Sequence, residues 1–231
     1  ALEMFVSNFQ TAFNPQLIQS HAAKDYEAHK SLLFRASKFS YFLLLIMLVP
    51  IVSNIDFILN LWLEEVPEYT NYFVAFILIS YLFNALSTPF FTSLNATGKI
   101  KHYQITLSAI FISGLGLIYF VLKGGAEPYF VSVVAILIQF VLLVARLFFA
   151  HKYVDFSYIQ FFRKVVLKVS VVTLVAIIPS FVLYGIANGF WVNILNIVAE
   201  VLSTGFIIFL LGLNRTERLF ILNIVKKRIS K

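Results

Sequence analysis

The sequence contains no cysteine and few charged residues. Charged side chains make up 13% of the 231 residues, against about 25% in a typical soluble domain, whereas hydrophobic side chains make up 60%. Without cysteine the chain can form neither a disulfide nor a thiolate metal site. The apolar fraction exceeds what the core of a soluble domain needs, so it indicates a protein that lies within a lipid bilayer.

Motifs for catalysis and for nucleotide binding are also missing. The sequence has no glycine-rich phosphate loop, no metal-ligand spacing and no plausible nucleophile–base pair. We therefore expect no enzymatic activity and no cofactor. The net charge of +7 is confined to particular loops and does not form one binding face, so we expect no nucleic-acid partner.

Six apolar stretches are long enough to cross a bilayer as a helix, which requires about 20 residues. They are residues 36–55, 70–94, 103–122, 128–150, 165–187 and 190–213. Short connections make consecutive helices antiparallel neighbours. The predicted fold class is all-α, a polytopic transmembrane helical bundle.

The rest of the chain divides around these spans. We assign 1–20 to the end of a truncated transmembrane helix, 21–35 to a cytoplasmic loop, 36–152 to four transmembrane helices, 153–164 to a cytoplasmic interfacial segment, 165–213 to two additional transmembrane helices and 214–231 to a basic cytoplasmic tail. For the two charged connections, 21–35 and 153–164, a helix on the membrane surface and an ordinary loop are equally compatible with the sequence.

The distribution of charge predicts the orientation. Every basic residue except Lys123 falls in or beside alternate loops or in the tail, whereas the opposite loops are acidic, between Asp56 and Glu68 and at Glu127. Lys and Arg near the ends of spans resist translocation. We therefore expect a multi-pass protein whose basic loops and C-terminus are cytoplasmic.

Polar side chains recur on single faces of the predicted spans at three-, four- or seven-residue steps. Such stripes either line a hydrated cavity or join helices by hydrogen bonds worth about 0.6–2 kcal/mol each. For Glu200, a proton relay and a structural carboxyl group are both open interpretations. The residues that we select as a substrate pathway are Gln10, Asn14, Asn84, Ser87, Gln139 and Glu200.

Several segments carry a family resemblance. The segments that carry the resemblance are Asn14–Ile18, the charged stretch after it, a span ending near Val49-Pro50 and an acidic loop through Tyr69. With these segments the chain resembles the C-terminal lobe of polysaccharide flippases of the multidrug/oligosaccharidyl-lipid/polysaccharide exporter superfamily. The most specific local signal is Ser93–Lys101, where small residues are followed by Gly98 and Lys99.

The resemblance implies one lobe, plus two extra helices, of a two-lobe transporter in a bacterial cytoplasmic (inner) membrane. Its partners would be membrane lipids, the N-terminal half of the same protein and a coupling ion, H+ or Na+. The implied function is transmembrane export, by flipping, of undecaprenyl-diphosphate-linked oligosaccharide for cell-surface polysaccharide such as the O-antigen of lipopolysaccharide. In such cavities cationic side chains attract the diphosphate, and here Arg146 is the basic residue well placed in a span.

Two other functions stay open. A drug/cation antiporter of the same fold is the alternative, and a membrane glycan polymerase or ligase is the third. An enzyme of the last kind needs a large outer loop with paired polar catalytic residues. The longest outer loop, 56–69, carries acidic residues but no Arg, Lys or His.

The charge distribution generates a first prediction. A reporter fused after Lys231 or within 153–164 should report a cytoplasmic position, and one at 64–66 an external position, because basic loops are retained inside. The measurement is a paired assay with one reporter active only inside the cell and one active only outside. The opposite result at any of the three sites would refute the orientation.

Overall fold

The computed structural model describes residues 2–154, 156–183, 189–219 and 222–223. Within these residues the regular structure is entirely helical. The α-helices are α1 (Leu2–Ala22), α2 (Tyr26–Ser53), α3 (Ile55–Trp62), α4 (Thr70–Ala96), α5 (Lys101–Lys123), α6 (Phe130–Val154), α7 (Tyr158–Phe161), α8 (Leu167–Ala176), α9 (Ile178–Leu183) and α10 (Phe190–Ile207). Two π-helical turns, Phe162–Val166 and Ile208–Gly212, follow α7 and α10.

Six helical segments of the described chain are long and apolar enough to cross a membrane. They are Tyr26–Ser53, Thr70–Ala96, Lys101–Lys123, Phe130–Val154, Tyr158–Leu183 and Phe190–Gly212. The predicted all-α, multi-pass bundle is thereby confirmed. Helix α1 has 21 residues but is not in this set, because its polar side chains lower its hydropathy.

The charged connections contain more helix than their composition suggests. Helix α2 begins at Tyr26, so most of the segment 21–35 is continuous with the span. Asp25 caps this helix, since its Oδ1 accepts a hydrogen bond of 3.1 Å from the Ala28 N–H. Glu27 and Lys30 then pair one turn apart, at 2.9 Å. The assignment of 21–35 to a loop was therefore wrong for most of the segment, because Lys and Glu are good helix formers and a charged stretch can continue a helix.

The second connection, 153–164, is also largely helical: α6 runs to Val154, and α7 with its π-helical turn leads into α8. Some predicted features lie outside the described residues. These are residues 184–187 of the span 165–187 and most of the tail 214–231, of which 214–219 and 222–223 are described.

Helix α4 lies at the centre of the bundle, where it packs against α1, α2 and α6, and α5 packs against the outer side of α6. An aromatic cluster anchors one end of α4. The rings of Phe90 and Phe161 have centroids 5.0 Å apart, and those of Phe34 and Phe161 lie 5.5 Å apart. These edge-on and tilted contacts stabilise the junction of α2, α4 and α7 beyond simple area burial.

The final π-helical turn approaches α2 so closely that only glycine fits at position 212. A Cβ atom on Gly212 would lie 2.6 Å from two ring carbons of Phe42, whose side chain is buried. The ring belongs to the hydrophobic core, so a Cβ atom at position 212 would force the ring or the turn to move. Gly205 lies two turns earlier on the same segment, and a Cβ there would meet nothing within 4 Å.

These two glycines provide a matched test of the packing. Gly212→Ala should destabilise the protein by about 1–3 kcal/mol, the usual cost of overpacking a core. Gly205→Ala should be neutral or stabilising by up to about 1 kcal/mol, because alanine favours helix. The measurement is the thermal unfolding midpoint of each purified variant in detergent. Equal midpoints for the two variants would contradict the close approach of this turn to α2.

Candidate functional site

Polar groups of α4 form hydrogen bonds to three neighbouring helices. The polar stripe of this helix comprises Ser80, Asn84, Ser87, Thr88 and Thr92. Toward α1, Gln10 Nε2 donates to the Ala85 carbonyl at 3.1 Å, and Thr92 Oγ1 donates to Asn14 Oδ1 at 3.1 Å. The structure therefore brings the predicted pathway residues Gln10 and Asn14 against α4. Both amides thus join helices, as the helix–helix interpretation of the stripe predicts.

A polar cavity of about 140 Å³ lies between these two helices, with room for several water molecules. Its hydrophilic lining is neutral and includes the hydroxyls of Ser7 and Thr88 and the amides of Gln10 and Asn84. Val6, Leu44, Tyr81 and Ala85 complete the lining. We call this space the α1–α4 cavity.

Arg146 approaches α4 from the α6 side. Its Nη1 donates to Ser87 Oγ at 2.5 Å and to Asn84 Oδ1 at 3.3 Å, and its guanidinium lies 6.0 Å from the Phe91 ring centroid. Asn84 therefore has a cation on one side and lines the α1–α4 cavity on the other. A charge-assisted bond of this kind is worth more than a neutral one, so it holds the amide in place.

The sequence-based set of pathway residues omitted Arg146, although the residue had been recognised as a basic position in a span. The available signal was its spacing. Gln139 and Arg146 are seven residues apart and thus occupy one face of α6. What the sequence did not reveal is that this face meets Asn84 and Ser87.

Gln139 is not joined to the α4 residues. Its Oε1 atom is buried without a hydrogen-bond partner among the described residues, as is Nε of Arg146. Two such atoms on one helix face leave hydrogen-bonding capacity unused within the bilayer, where each unpaired group costs about 1–3 kcal/mol. This face of α6 can therefore accept a further polar contact.

Glu200 belongs to a different part of the bundle. Its side chain is buried, and its Oε2 accepts a hydrogen bond of 2.9 Å from Asn54 Nδ2. Asn54 separates α2 from α3, and the same Nδ2 donates to the Pro50 carbonyl at 3.0 Å. Glu200 thus attaches α10 to the junction of α2 and α3, and it does not line the α1–α4 cavity.

His29 is a further polar contact that the sequence did not identify. The ring is fully buried, with Nε2 2.6 Å from Ser93 Oγ and Nδ1 3.0 Å from both the Leu17 carbonyl and Ser20 Oγ. It therefore connects α1, α2 and α4. The charged residues around it suggested a loop, which removed any reason to place it among helices.

At the opposite, acidic end of the bundle, Tyr69 links two loops. Hydrogen bonds from its hydroxyl to the carboxylates of Glu127 and Glu68 raise the pKa of Tyr69 to about 12, although the residue is only partly buried. Its ring lies 5.6 Å from that of Tyr129. The connections before α4 and before α6 are thus held side by side. Within the described part of the chain, no group of histidine and carboxylate side chains could hold a metal ion.

The absence of native cysteine allows a test of the cavity by single-cysteine labelling. Ser7 and Thr88 line the α1–α4 cavity. The variants Ser7→Cys and Thr88→Cys should react with a membrane-impermeant thiol reagent many times faster than Ser87→Cys, because thiolate formation needs water. Ser87→Cys is the matched control, since Ser87 is next to Thr88 but fully buried. If Ser87→Cys reacts as fast as Thr88→Cys in the intact protein, the cavity is not the hydrated face of α4.

Comparison with known proteins does not place the chain in a family: no protein-family model, curated protein or solved structure matches it.

Proposed function

We propose that the protein exports an undecaprenyl-diphosphate-linked oligosaccharide by flipping it across a bacterial inner membrane, with its C-terminus in the cytoplasm. The observation that carries this proposal is the α1–α4 cavity, in which Asn84 is held by the Arg146 guanidinium. The lobe described here would work with an N-terminal half of the same protein, in the alternating-access manner of two-lobe transporters. H+ or Na+ would drive the cycle.

The chemistry of the cavity supports a neutral or anionic substrate. Hydroxyl and amide groups line it, and these exchange hydrogen bonds readily with sugar hydroxyls. The Arg146 guanidinium is bonded to Asn84 of its lining, and guanidinium groups pair well with phosphate oxygens. A diphosphate-linked sugar combines both features.

An apolar groove on the other side of α1 supports a lipid-linked substrate. The groove has a volume of about 730 Å³ and lies between α1, α2 and the turn Ile208–Gly212. Phe9 and Phe13 of α1 line it, whereas Ser7 and Gln10 of the same helix line the α1–α4 cavity. One helix therefore separates a polar cavity from an apolar groove, as a substrate with a polar head and a polyprenyl chain requires.

A drug/cation antiporter is the alternative. Such a transporter needs a carboxylate where the cation binds, and no carboxylate lines the α1–α4 cavity within the described residues. Glu200, the buried carboxyl group within a membrane-spanning segment, is bonded to Asn54 elsewhere. A positive charge beside Asn84 also disfavours a cationic substrate. These contacts favour the glycan over the cation.

Replacement of Arg146 tests the proposal. Arg146→Gln in the intact protein should lower the export of lipid-linked oligosaccharide at least about tenfold, because a lost charge-assisted hydrogen bond costs about 1.5–3 kcal/mol. Arg146→Lys should retain part of the activity, since it keeps the charge but loses the planar geometry. The measurement is the flux of a labelled lipid-linked oligosaccharide in reconstituted vesicles, normalised to folded protein.

Arg163→Gln is the matched control. Arg163 is exposed in the π-helical turn after α7 and lines none of the cavities described. Its variant should export normally. Normal export by Arg146→Gln would refute the role of the α1–α4 cavity, and transport of an organic cation by the wild-type protein in the same vesicles would favour the antiporter.

A further inference from the structure

A second polar cavity, of about 340 Å³, lies at the end of the bundle where α2 begins and α8 follows the π-helical turn. Its walls come from α2, from the segment between α7 and α8, and from the chain after α10. We call it the basic cavity. Six of its lining residues carry the argument: Arg35, Lys38, Lys164, Lys168, Asn214 and Glu217.

The basic cavity has an excess of positive charge. Its lining contains two carboxylates, and both are already paired: Glu27 with Lys30 at 2.9 Å, and Glu217 with Lys38 at 2.6 Å. The other basic residues of the lining are Arg35, Lys164 and Lys168. None of these three has a carboxylate partner among the residues that the structure describes. Three uncompensated cations therefore face one space.

Buried contacts hold the wall that faces these cations. The side chains of Lys38 and Glu217 are only 4% and 7% exposed. Glu217 Oε2 also accepts the Asn214 N–H at 2.7 Å, and Lys168 Nζ donates to Asn214 Oδ1. The segment after α10 is thus fixed to both α2 and α8, and the cavity has a defined shape.

We infer that the basic cavity binds a phosphate group, carried either by an anionic membrane lipid or by a small phosphate anion. Like charges that converge on one space repel one another, and a bound phosphate would relieve this repulsion. Arginine and lysine are the side chains that bind phosphate oxygens in proteins, and basic pockets between transmembrane helices bind anionic headgroups. The volume lies near the lower end of that of ligand pockets, which suits a headgroup. This site does not depend on the transport reaction proposed above.

The first experiment measures lipid binding by native mass spectrometry. The intact protein in neutral detergent is titrated with phosphatidylglycerol, and in a parallel arm with inorganic pyrophosphate. Arg35→Gln/Lys164→Gln should weaken the apparent affinity for the first bound anion about tenfold or more, the expected loss for two charge-assisted contacts. This pair leaves the buried Lys38–Glu217 contact intact.

The matched control is Lys101→Gln/Lys152→Gln, which removes the same charge from exposed positions outside the cavity. It should bind as the wild type does. Cavity-dependent binding of phosphatidylglycerol identifies a lipid headgroup as the ligand, and cavity-dependent binding of pyrophosphate alone identifies a small anion. If the two double variants bind both probes equally, attraction to the basic surface in general explains the binding and the inference is wrong.

A second measurement needs no variant. An amine-reactive reagent is used to measure the rate at which Lys164 and Lys168 are modified. One arm compares nanodiscs of phosphatidylcholine alone with nanodiscs that also contain phosphatidylglycerol. The other arm compares phosphatidylcholine nanodiscs with and without added pyrophosphate. Both lysines should be modified several-fold more slowly with the bound anion, whereas Lys101 should be modified at an unchanged rate. Equal changes at all three lysines in both arms would overturn the proposal.

Discussion

Hydrocarbon offers no hydrogen-bond partners, so polar groups of α4 that are not fully paired within their own helix must find partners on neighbouring helices. They do so in three directions. Ala85 and Thr92 contact α1, Ser93 contacts His29 of α2, and Ser87 contacts Arg146 of α6. Each contact fixes the position of one helix relative to α4. The arrangement of α1, α2 and α6 therefore depends on the polar stripe of one central helix.

Helix α5 shows the contrary case. Two of its hydroxyl groups bond to their own helix: Thr106 Oγ1 donates to the His102 carbonyl at 2.9 Å, and Ser113 Oγ to the Ala109 carbonyl at 2.8 Å. Such internal bonds satisfy a hydroxyl without a neighbour. Large apolar side chains such as Ile112 and Leu115 remain exposed around them. The helix consequently packs against α6 on one side, and much of its remaining surface is apolar and exposed.

The two polar cavities differ in how their charges are compensated. In the α1–α4 cavity the described lining is neutral, and the neighbouring cation Arg146 is bonded to Asn84 and Ser87. In the basic cavity Lys38 is neutralised by Glu217, while Arg35 and Lys164 have no acidic partner in the described chain. The first arrangement suits passage of a hydroxyl-rich molecule, because hydrogen bonds to neutral groups are easily exchanged. The second suits an anion that stays bound.

The sequence by itself determined the membrane environment, the all-α fold and the number of spans, because these follow from the length and composition of apolar stretches. Periodicity also placed Gln10, Asn14, Asn84 and Ser87 on the polar faces of their own helices. What these faces contact could be read only from the packed structure.

Three contacts show this: Glu200 with Asn54, which keeps Glu200 away from the cavity, Arg146 with Asn84, and Lys38 with Glu217. They join residues that are 62 to 179 positions apart in the sequence. A helical period fixes the direction of a side chain on its own helix, but it contains no information about which neighbour lies opposite. That choice depends on the packing of the whole bundle, where each polar group has to meet a partner.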